Sequence, residues 1–232
     1  VADALSDLLF TYSADADQNL RDEGVPEYAI HRVGNVMIDT LLHFRERARE
    51  STILGELGFQ PKTFALLTLH RQSNVENPER FASILDALAQ IQQRLPIVFP
   101  VHPRTRSRIE SFGFTERIEA MSNLCCIDPV GYFESVHLQE TARLALTDSA
   151  GIAEETTVLG VPCLTLRENT ERPVTITEGS NQLVGSDSDR IVAAAGAILD
   201  QDRATDYPVP ELWDGQSARR IVAVLRRGFE RR

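Results

Sequence analysis

Polar and charged side chains follow the apolar segments of this sequence at five places, each where a segment ends. They are His70 with Arg71, His102, Asp128, Asp148 with Ser149, and Arg167. Histidines transfer protons near neutral pH, and arginines neutralise anions such as phosphates. If the apolar segments are parallel strands, these groups lie at the carboxyl edge of one sheet, where such sheets bind ligands. The pattern therefore predicts a site that combines anion binding with acid–base groups.

The stretch LALTDSAGIAEETTVLGVPCLTLRENTERP, residues 144–173, is the most informative part of the sequence. An apolar strand is followed by a tight polar turn at 148–151, and a helix follows over 152–159. The first N–H groups of a helix have no partner within the helix, and the positive end of the helix dipole points the same way. We therefore expect an anion to be held at Ser149 and Gly151.

Glu155 lies four residues after Gly151, which places it about 6 Å further along the helix axis on nearly the same face. Glu154 is expected only to complement the helix dipole. A carboxylate repels phosphate but accepts hydrogen bonds from hydroxyl groups, so Glu155 suits a ribose attached to the anion. The predicted ligand is a nucleotide or a nucleotide-sugar.

Three further residues are candidates for this site. Arg172 is preferred over Arg167 as the phosphate ligand because Pro173 can begin a helix that orients it. His70 is expected near the diphosphate or as a proton-transfer group, the alternative being a packing histidine. His102 precedes a proline that ends the strand, and it either caps the next helix or contacts the ligand.

The elements that must position these residues alternate between strand and helix. Strands are predicted over 64–69, 97–101, 124–127, 144–147 and 163–166, with helices over 78–93, 104–112, 132–142 and 152–159. Continuous apolar strands that alternate with helices are typical of a parallel sheet covered by helices on both faces. A short strand at 183–184 and helices over 187–200 and 216 to about 229 complete the main body.

The beginning of the chain is organised differently. Residues 1–45 contain two short strand patterns, which cannot bury both of their faces by themselves. This segment either docks onto the rest of the chain or lacks its partner strands. The charged stretch 46–59, with two glycines before Pro61, is predicted to be a linker or hinge.

Composition excludes several classes of protein. The 232 residues carry a formal charge of −10 and a pI near 5.0, which argues against nucleic acid as a partner. The longest apolar run, 191–199, is far shorter than the roughly 18 residues of a membrane span. The three cysteines include an adjacent pair, Cys125 and Cys126, expected in a buried strand, so neither a disulfide framework nor a zinc spacing is present. A reducing, cytoplasmic location is expected.

Five ordered motifs resemble the UDP-N-acetylglucosamine 2-epimerase family. They are TLHRQSN at 68–74, PVHPRTR at 100–106, DPVGYFESVHL at 128–138, TDSAGIAEE at 147–155 and GVPCLTLRENTERP at 160–173, and GNVMIDTLL at 34–42 adds to them. The resemblance implies an α/β fold in which this chain is the C-terminal half of a glycosyltransferase-B-type arrangement of two Rossmann-like domains. Residues 1–45 would be the remnant of the N-terminal domain, 46–210 the UDP-binding domain, and 211–232 a helix that packs back toward the N-terminal domain.

The resemblance also assigns roles to the candidate residues. Ser149 and Gly151 would bind the diphosphate, Glu155 the ribose hydroxyls, and Arg172 the phosphates, with His102 as a further UDP contact. His70 would belong to the catalytic cleft, and Arg71 would be an allosteric or phosphate contact. No metal and no other cofactor is implied, and the partners would be a UDP-sugar and a second copy of the chain.

Family members of this type remove the C2 proton, eliminate UDP to give a 2-acetamidoglucal, and add UDP back after the sugar has turned over. Their catalytic carboxylates lie in the first domain, ahead of the segment that matches Val1. Gln72 and Ser73 replace a basic–acidic pair of the bacterial members, which bears on allosteric control, and Ala150 and Ala153 replace a glycine and a glutamine. The alternatives are an epimerase of UDP-diacetamido-hexuronate, a UDP-binding fragment without activity, and a retaining glycosyltransferase, which the motifs disfavour.

Overall fold

A computed structural model of the chain describes residues 3–201 and 206–229. Its strands are β1 (Leu9–Thr11), β2 (Ile30–Arg32), β3 (Ala65–Thr68), β4 (Ile97–Pro100), β5 (Leu124–Ile127), β6 (Leu144–Thr147), β7 (Cys163–Thr165) and β8 (Asn181–Leu183). Its helices are α1 (Ala14–Asp22), α2 (Val36–Arg49), α3 (Ile53–Leu57), α4 (Gln72–Val75), α5 (Pro78–Ile91), α6 (Pro103–Ser111), α7 (Thr115–Glu119), α8 (Tyr132–Thr141), α9 (Ala150–Leu159), α10 (Val174–Thr177), α11 (Ser188–Leu199) and α12 (Ser217–Phe229). None of the helices in the described residues is long and apolar enough to cross a membrane.

The chain forms two compact units. The larger unit is Arg47–Pro208, and the smaller one combines the residues up to Glu46 with those from Val209 onward. The boundary between them falls within α2. The predicted division at residues 45 and 210 remains a prediction about the domains of the whole protein.

The larger unit is built on a six-stranded parallel sheet with the strand order β5-β4-β3-β6-β7-β8. Counted from β3, this is the order 3-2-1-4-5-6 of doubly wound α/β domains. The direction of winding reverses between β3 and β6, where Ala65 pairs with Leu144 and Thr68 with Thr147. Parallel sheets of this kind bind ligands at the carboxyl ends of the strands beside this reversal.

Both faces of the sheet are buried along its inner strands, as predicted. Along β3, Ala65 and Leu67 point into a core formed with α5 and α11, while Phe64 and Leu66 point into a second core formed with α3 and α8. Successive side chains of a strand alternate between its faces, so a sheet covered on both sides needs apolar residues at every position. The same requirement explains the all-buried β6.

Helix α5 illustrates how the sequence specifies a covering helix. Asn77 caps it by accepting a hydrogen bond from the Arg80 backbone N–H at 2.9 Å, and Pro78 occupies the first turn. Its inward face consists of the buried apolar residues Phe81, Ile84, Leu85, Leu88 and Ile91. This spacing of three and four residues is the one that the sequence predicted.

Several local predictions are corrected by the structure. Cys126 is exposed and Cys125 half-buried, because β5 is the edge strand of the sheet and is not covered on both sides. Helix α9 begins at Ala150 and not at residue 152, since Ser149 already has the extended backbone of a cap. Strand β8 ends at Leu183, where the prediction began. The short helices α4 and α7 were not predicted, whereas α10 begins directly after Pro173, as the sequence predicted.

In the smaller unit, β1 and β2 form a two-stranded parallel sheet, with Leu9 paired to Ile30. Trp213 is buried there and donates its indole N–H to the carbonyl of Tyr12 at 2.8 Å. Asp39 accepts the backbone N–H groups of Ser217 at 3.0 Å and of Ala218 at 2.7 Å, which caps the start of α12. The two ends of the described chain are thus joined within this unit.

Candidate functional site

A cavity of about 230 Å³ opens at the carboxyl edge of the six-stranded sheet. Its lining includes His70 after β3, His102 after β4 and Ser149 after β6, so it lies beside the reversal of strand order. The rings of the two histidines are 5.7 Å apart between centroids. Three site residues that were predicted from separate sequence motifs therefore line one cavity.

Helix α9 presents its N-terminus at this edge. Ser149 is its N-cap residue, with φ −92° and ψ 125°, and its side chain makes no capping hydrogen bond. A Cβ added to Gly151 would meet only the Ser149 hydroxyl, at 3.8 Å, so the space in front of the first turn is open. The first N–H groups of α9 and the positive end of its dipole are thus available to an anion.

Asp148, fully buried at the end of β6, organises the loop after β3. Its carboxylate accepts the backbone N–H of His70 at 3.1 Å, the backbone N–H of Arg71 at 2.8 Å and the side-chain amide of Asn74 at 3.2 Å. Asn74 also donates to the carbonyl of Leu166 at 2.8 Å, at the end of β7. Hydrogen bonds to Asp148, together with the one from Asn74 to Leu166, thereby connect the carboxyl ends of the neighbouring strands β3, β6 and β7.

Glu155 lies one turn along α9 and is only 5% exposed. Gln139 donates its amide N–H to one carboxylate oxygen at 2.8 Å, and the Tyr132 hydroxyl donates to the other at 3.3 Å. Burial raises the pKa of Glu155 despite these two donors. Burial is the main cause that raises the pKa of Tyr132 to about 12, and the charge of the neighbouring Glu155 carboxylate raises it further in the same direction. Each oxygen of Glu155 keeps acceptor capacity for a further donor such as a ribose hydroxyl.

The preceding residue, Glu154, has a different role from the one predicted. Its side chain is buried and forms an ion pair with the Arg172 guanidinium, so it does more than complement the helix dipole. Arg172 also donates to the carbonyl of Glu171 at 3.0 Å. The pair fixes Arg172 against the same helix that carries Ser149 and Glu155.

A second group of charges surrounds Glu171. Arg167 donates to its two carboxylate oxygens at 2.6 and 2.8 Å, and Arg71 approaches to 3.9 Å. The hydrogen bonds from Arg167 lower the pKa of Glu171 to about 2. Arg167, which the sequence ranked below Arg172, is therefore neutralised by a carboxylate of its own loop.

His102 fulfils the capping alternative and also lines the cavity. Its Nδ1 accepts the backbone N–H of Arg104 at 3.2 Å, which caps α6, and Pro103 occupies the first turn. The side chain is exposed at the cavity.

Not every predicted residue lines the cavity that holds the two histidines. The four that are placed by other contacts are Gly151 in the first turn of α9, Glu155 against α8, Arg172 beside Glu154, and Arg71 beside Asp148 and Glu171. No specific role was predicted for Asp148, Tyr132 or Gln139, although Asp148 directly follows an entirely apolar strand. Within the described residues, no group of three or more His, Cys, Asp or Glu side chains is arranged to hold a metal ion.

The strand order and the open helix N-terminus at its reversal define the class of this protein: a doubly wound, Rossmann-like α/β domain with a helix N-terminus exposed at the carboxyl edge of its sheet. A sequence profile of the UDP-N-acetylglucosamine 2-epimerase family matches residues 1–226. The chain belongs to that family.

Individual relatives agree with this assignment. A UDP-N-acetylglucosamine 2-epimerase homolog of Methanococcus maripaludis is 38% identical over 97% of this chain. A UDP-2,3-diacetamido-2,3-dideoxy-D-glucuronate 2-epimerase of Pseudomonas aeruginosa is also 38% identical over 97% of the chain. The crystal structure of the Methanocaldococcus jannaschii UDP-GlcNAc 2-epimerase, in complex with UDP-GlcNAc and UDP, has a TM-score of 0.83 with 35% identity over 95% of the chain.

The chain spans 62% of the length of the M. maripaludis relative and of the M. jannaschii structure, and 61% of the P. aeruginosa relative. The predicted fold class, the Rossmann-like C-terminal half of a glycosyltransferase-B-type fold, is confirmed.

Proposed function

We propose that this chain is the UDP-binding part of a UDP-N-acetylglucosamine 2-epimerase, which interconverts UDP-GlcNAc and UDP-ManNAc. The observation that carries the proposal is the open N-terminus of α9 beside a cavity that holds two histidines. Family membership supports it, as does the M. jannaschii relative, whose structure contains UDP-GlcNAc and UDP.

In this proposal the β6–α9 segment binds the nucleotide. Ser149 and Gly151 hold the diphosphate through the first N–H groups of α9, because these groups and the helix dipole favour an anion. Arg172, held by its ion pair with Glu154, donates hydrogen bonds to the phosphates from the adjacent loop. Glu155, held by Tyr132 and Gln139, accepts hydrogen bonds from the ribose hydroxyls.

The reaction needs a base to remove the C2 proton and a site that stabilises UDP as it leaves. When the C2 proton is removed and the bond from C1 to the UDP oxygen breaks, UDP leaves as an anion and the sugar becomes a 2-acetamidoglucal. Re-addition of UDP to C1 with its original configuration, together with delivery of a proton to the opposite face of C2, gives the C2 epimer. His70 is the catalytic residue that this chain contributes at the cavity. His102 and Arg71 contact the phosphates or the sugar beside His70.

The test is incubation of the chain with UDP-GlcNAc in D2O, followed by NMR. UDP binding is expected, and deuterium at C2 with a product of the ManNAc configuration would show that these 232 residues also carry the proton transfer. UDP binding without exchange would confine this chain to nucleotide binding and assign proton abstraction to residues outside these 232. Failure to bind UDP would contradict the proposal.

The P. aeruginosa relative supports a second candidate substrate, UDP-2,3-diacetamido-2,3-dideoxy-D-glucuronate. The same NMR experiment with both sugars separates the two. Exchange with the glucuronate alone would replace the first proposal by this second one.

The proposal extends to the setting of the enzyme. We place it in the reducing cytoplasm as a homodimer that supplies activated sugars for cell-envelope polysaccharides. Its three cysteines are all unpaired, which fits that compartment. Sedimentation at micromolar concentration would contradict the homodimer if it gave the mass of one chain.

A further inference from the structure

The Nδ1 atoms of the two cavity histidines face opposite kinds of polar group. The Nδ1 atom of His70 lies 3.5 Å from the buried carboxylate of Asp148, and a carboxylate can only accept. The Nδ1 atom of His102 accepts the backbone N–H of Arg104 at 3.2 Å, and a backbone N–H can only donate. Each contact therefore specifies the protonation of one ring nitrogen.

We propose that Asp148 and the N-terminus of α6 fix the two histidines in opposite tautomers. Neutral His70 carries its proton on Nδ1, toward Asp148, and keeps a lone pair on Nε2. Neutral His102 keeps its lone pair on Nδ1, toward Arg104, and carries its proton on Nε2. The cavity thus contains one histidine able to accept a proton and one able to donate a hydrogen bond, 5.7 Å apart between ring centroids.

Asp148 is the positioning residue in this arrangement. Its carboxylate accepts the backbone N–H groups of His70 and Arg71 and the amide of Asn74, so it is fixed before any ligand binds. The side chain of Asp148 is completely buried, so its carboxylate is a fixed group of the protein beside Nδ1 of His70, whose own side chain is 39% exposed. In a neutral imidazole the partner of one nitrogen decides the state of the other, and Asp148 acts on Nε2 of His70 in this way.

This inference rests on the proposed function only in the use it gives the two tautomers, because a UDP-sugar epimerase needs both a base and a hydrogen-bond donor at the sugar. The tautomers themselves follow from contacts within the chain without ligand. Their test and the UDP-binding test can therefore fail independently.

The experiment is a long-range ¹H–¹⁵N correlation spectrum of the imidazole rings of the 232-residue chain without nucleotide. It is recorded at a pH above which the ring ¹⁵N shifts no longer change, so that the rings are neutral. His70 and His102 are assigned through His70→Gln and His102→Gln. We expect a protonated Nδ1 and an unprotonated Nε2 for His70, and the reverse pattern for His102.

Two further variants test the cause. Asp148→Asn should move His70 toward the Nε2–H tautomer or a mixture, because an amide can also donate to Nδ1, and should leave His102 unchanged. Asp128→Asn, at the exposed end of β5, should change neither ring. The same tautomer for both histidines in the unaltered chain would overturn the proposal, whatever the variants do. An unchanged His70 in folded Asp148→Asn would overturn the role of Asp148.

Discussion

Asp148→Ala is predicted to destabilise the larger unit more than any other carboxylate truncation at the carboxyl edge of the sheet. The substitution removes the shared acceptor of three donors: the backbone N–H groups of His70 and Arg71 and the side-chain amide of Asn74. The site is fully buried at Asp148 and almost fully buried at Asn74. The truncation therefore leaves three donors without this acceptor, and water has little access to the one on Asn74.

The magnitude follows from the number of donors. A buried donor that loses its acceptor costs about 1–3 kcal/mol. Because the two backbone donors belong to half-buried residues that water can reach after truncation, the low end of that range applies to them. The expected loss is about 3–5 kcal/mol of the free energy of unfolding. Domains of this kind are stable by roughly 5–15 kcal/mol, so the loss is a large fraction of the whole.

The assay is urea unfolding followed by circular dichroism, with Asp128→Ala as the matched control. Asp128 also follows a strand of the same sheet, but its side chain is 92% exposed and forms an ion pair with Arg106. Its truncation is expected to cost less than about 1 kcal/mol. A loss of stability in Asp148→Ala no larger than in Asp128→Ala would refute the reasoning.

Four other predictions concern the same unit. Glu155→Gln should weaken UDP binding about 10- to 100-fold by calorimetry, because a hydrogen bond to a charged group contributes about 1.5–3 kcal/mol. Because burial raises the pKa of Glu155, the unaltered chain loses free energy of unfolding as pH rises above the ordinary glutamate pKa. Glu155→Gln should remove that loss. A Glu155→Gln variant that is less stable than the unaltered chain in urea unfolding at pH 8 would contradict this. Arg172→Met should lower the free energy of unfolding by about 3–5 kcal/mol because it leaves the buried Glu154 unpaired. The double variant Glu154→Gln with Arg172→Met should recover most of that stability but not UDP binding. Equal stability of the single and double variants would contradict the pairing. Gly179→Ala should lower the free energy of unfolding by about 1–3 kcal/mol, since its Cβ would lie 2.5 Å from the Thr175 carbonyl oxygen and 2.7 Å from Thr157. The control, Gly55→Ala in α3, places a Cβ that meets no atom within 4 Å and should be neutral or stabilising. Equal melting temperatures for the two variants would count against this packing.

The alternation of strands and helices could be predicted from the sequence because each covering helix has its own periodic face and each strand its own apolar run. The bounds of β5 and β6 agree with the prediction to the residue. The exposure of Cys126 could not be predicted, since the edge position of β5 depends on the order of all six strands. A local pattern contains no information on that order.

The site was predictable in part for the same reason. Ser149, His70 and His102 each follow an apolar strand, and the carboxyl-edge rule alone places them together. The partners of Asp148 and of Glu155 come from residues 74 to 78 and 16 to 23 positions away in the chain, respectively, so only the tertiary fold reveals them. The ion pair between Glu154 and Arg172 was missed because a carboxylate near a helix start already has a local explanation.

The most direct test of the central claim, that the β6–α9 segment binds UDP, is calorimetric titration of UDP into the chain and into its Glu155→Ala variant. Glu119→Ala, an exposed glutamate at the end of α7, serves as the control. We predict that UDP binds the unaltered chain and the control equally, and that Glu155→Ala keeps its fold but binds at least about tenfold more weakly. Equal affinity for all three proteins, or no binding of UDP to the unaltered chain, would contradict the account.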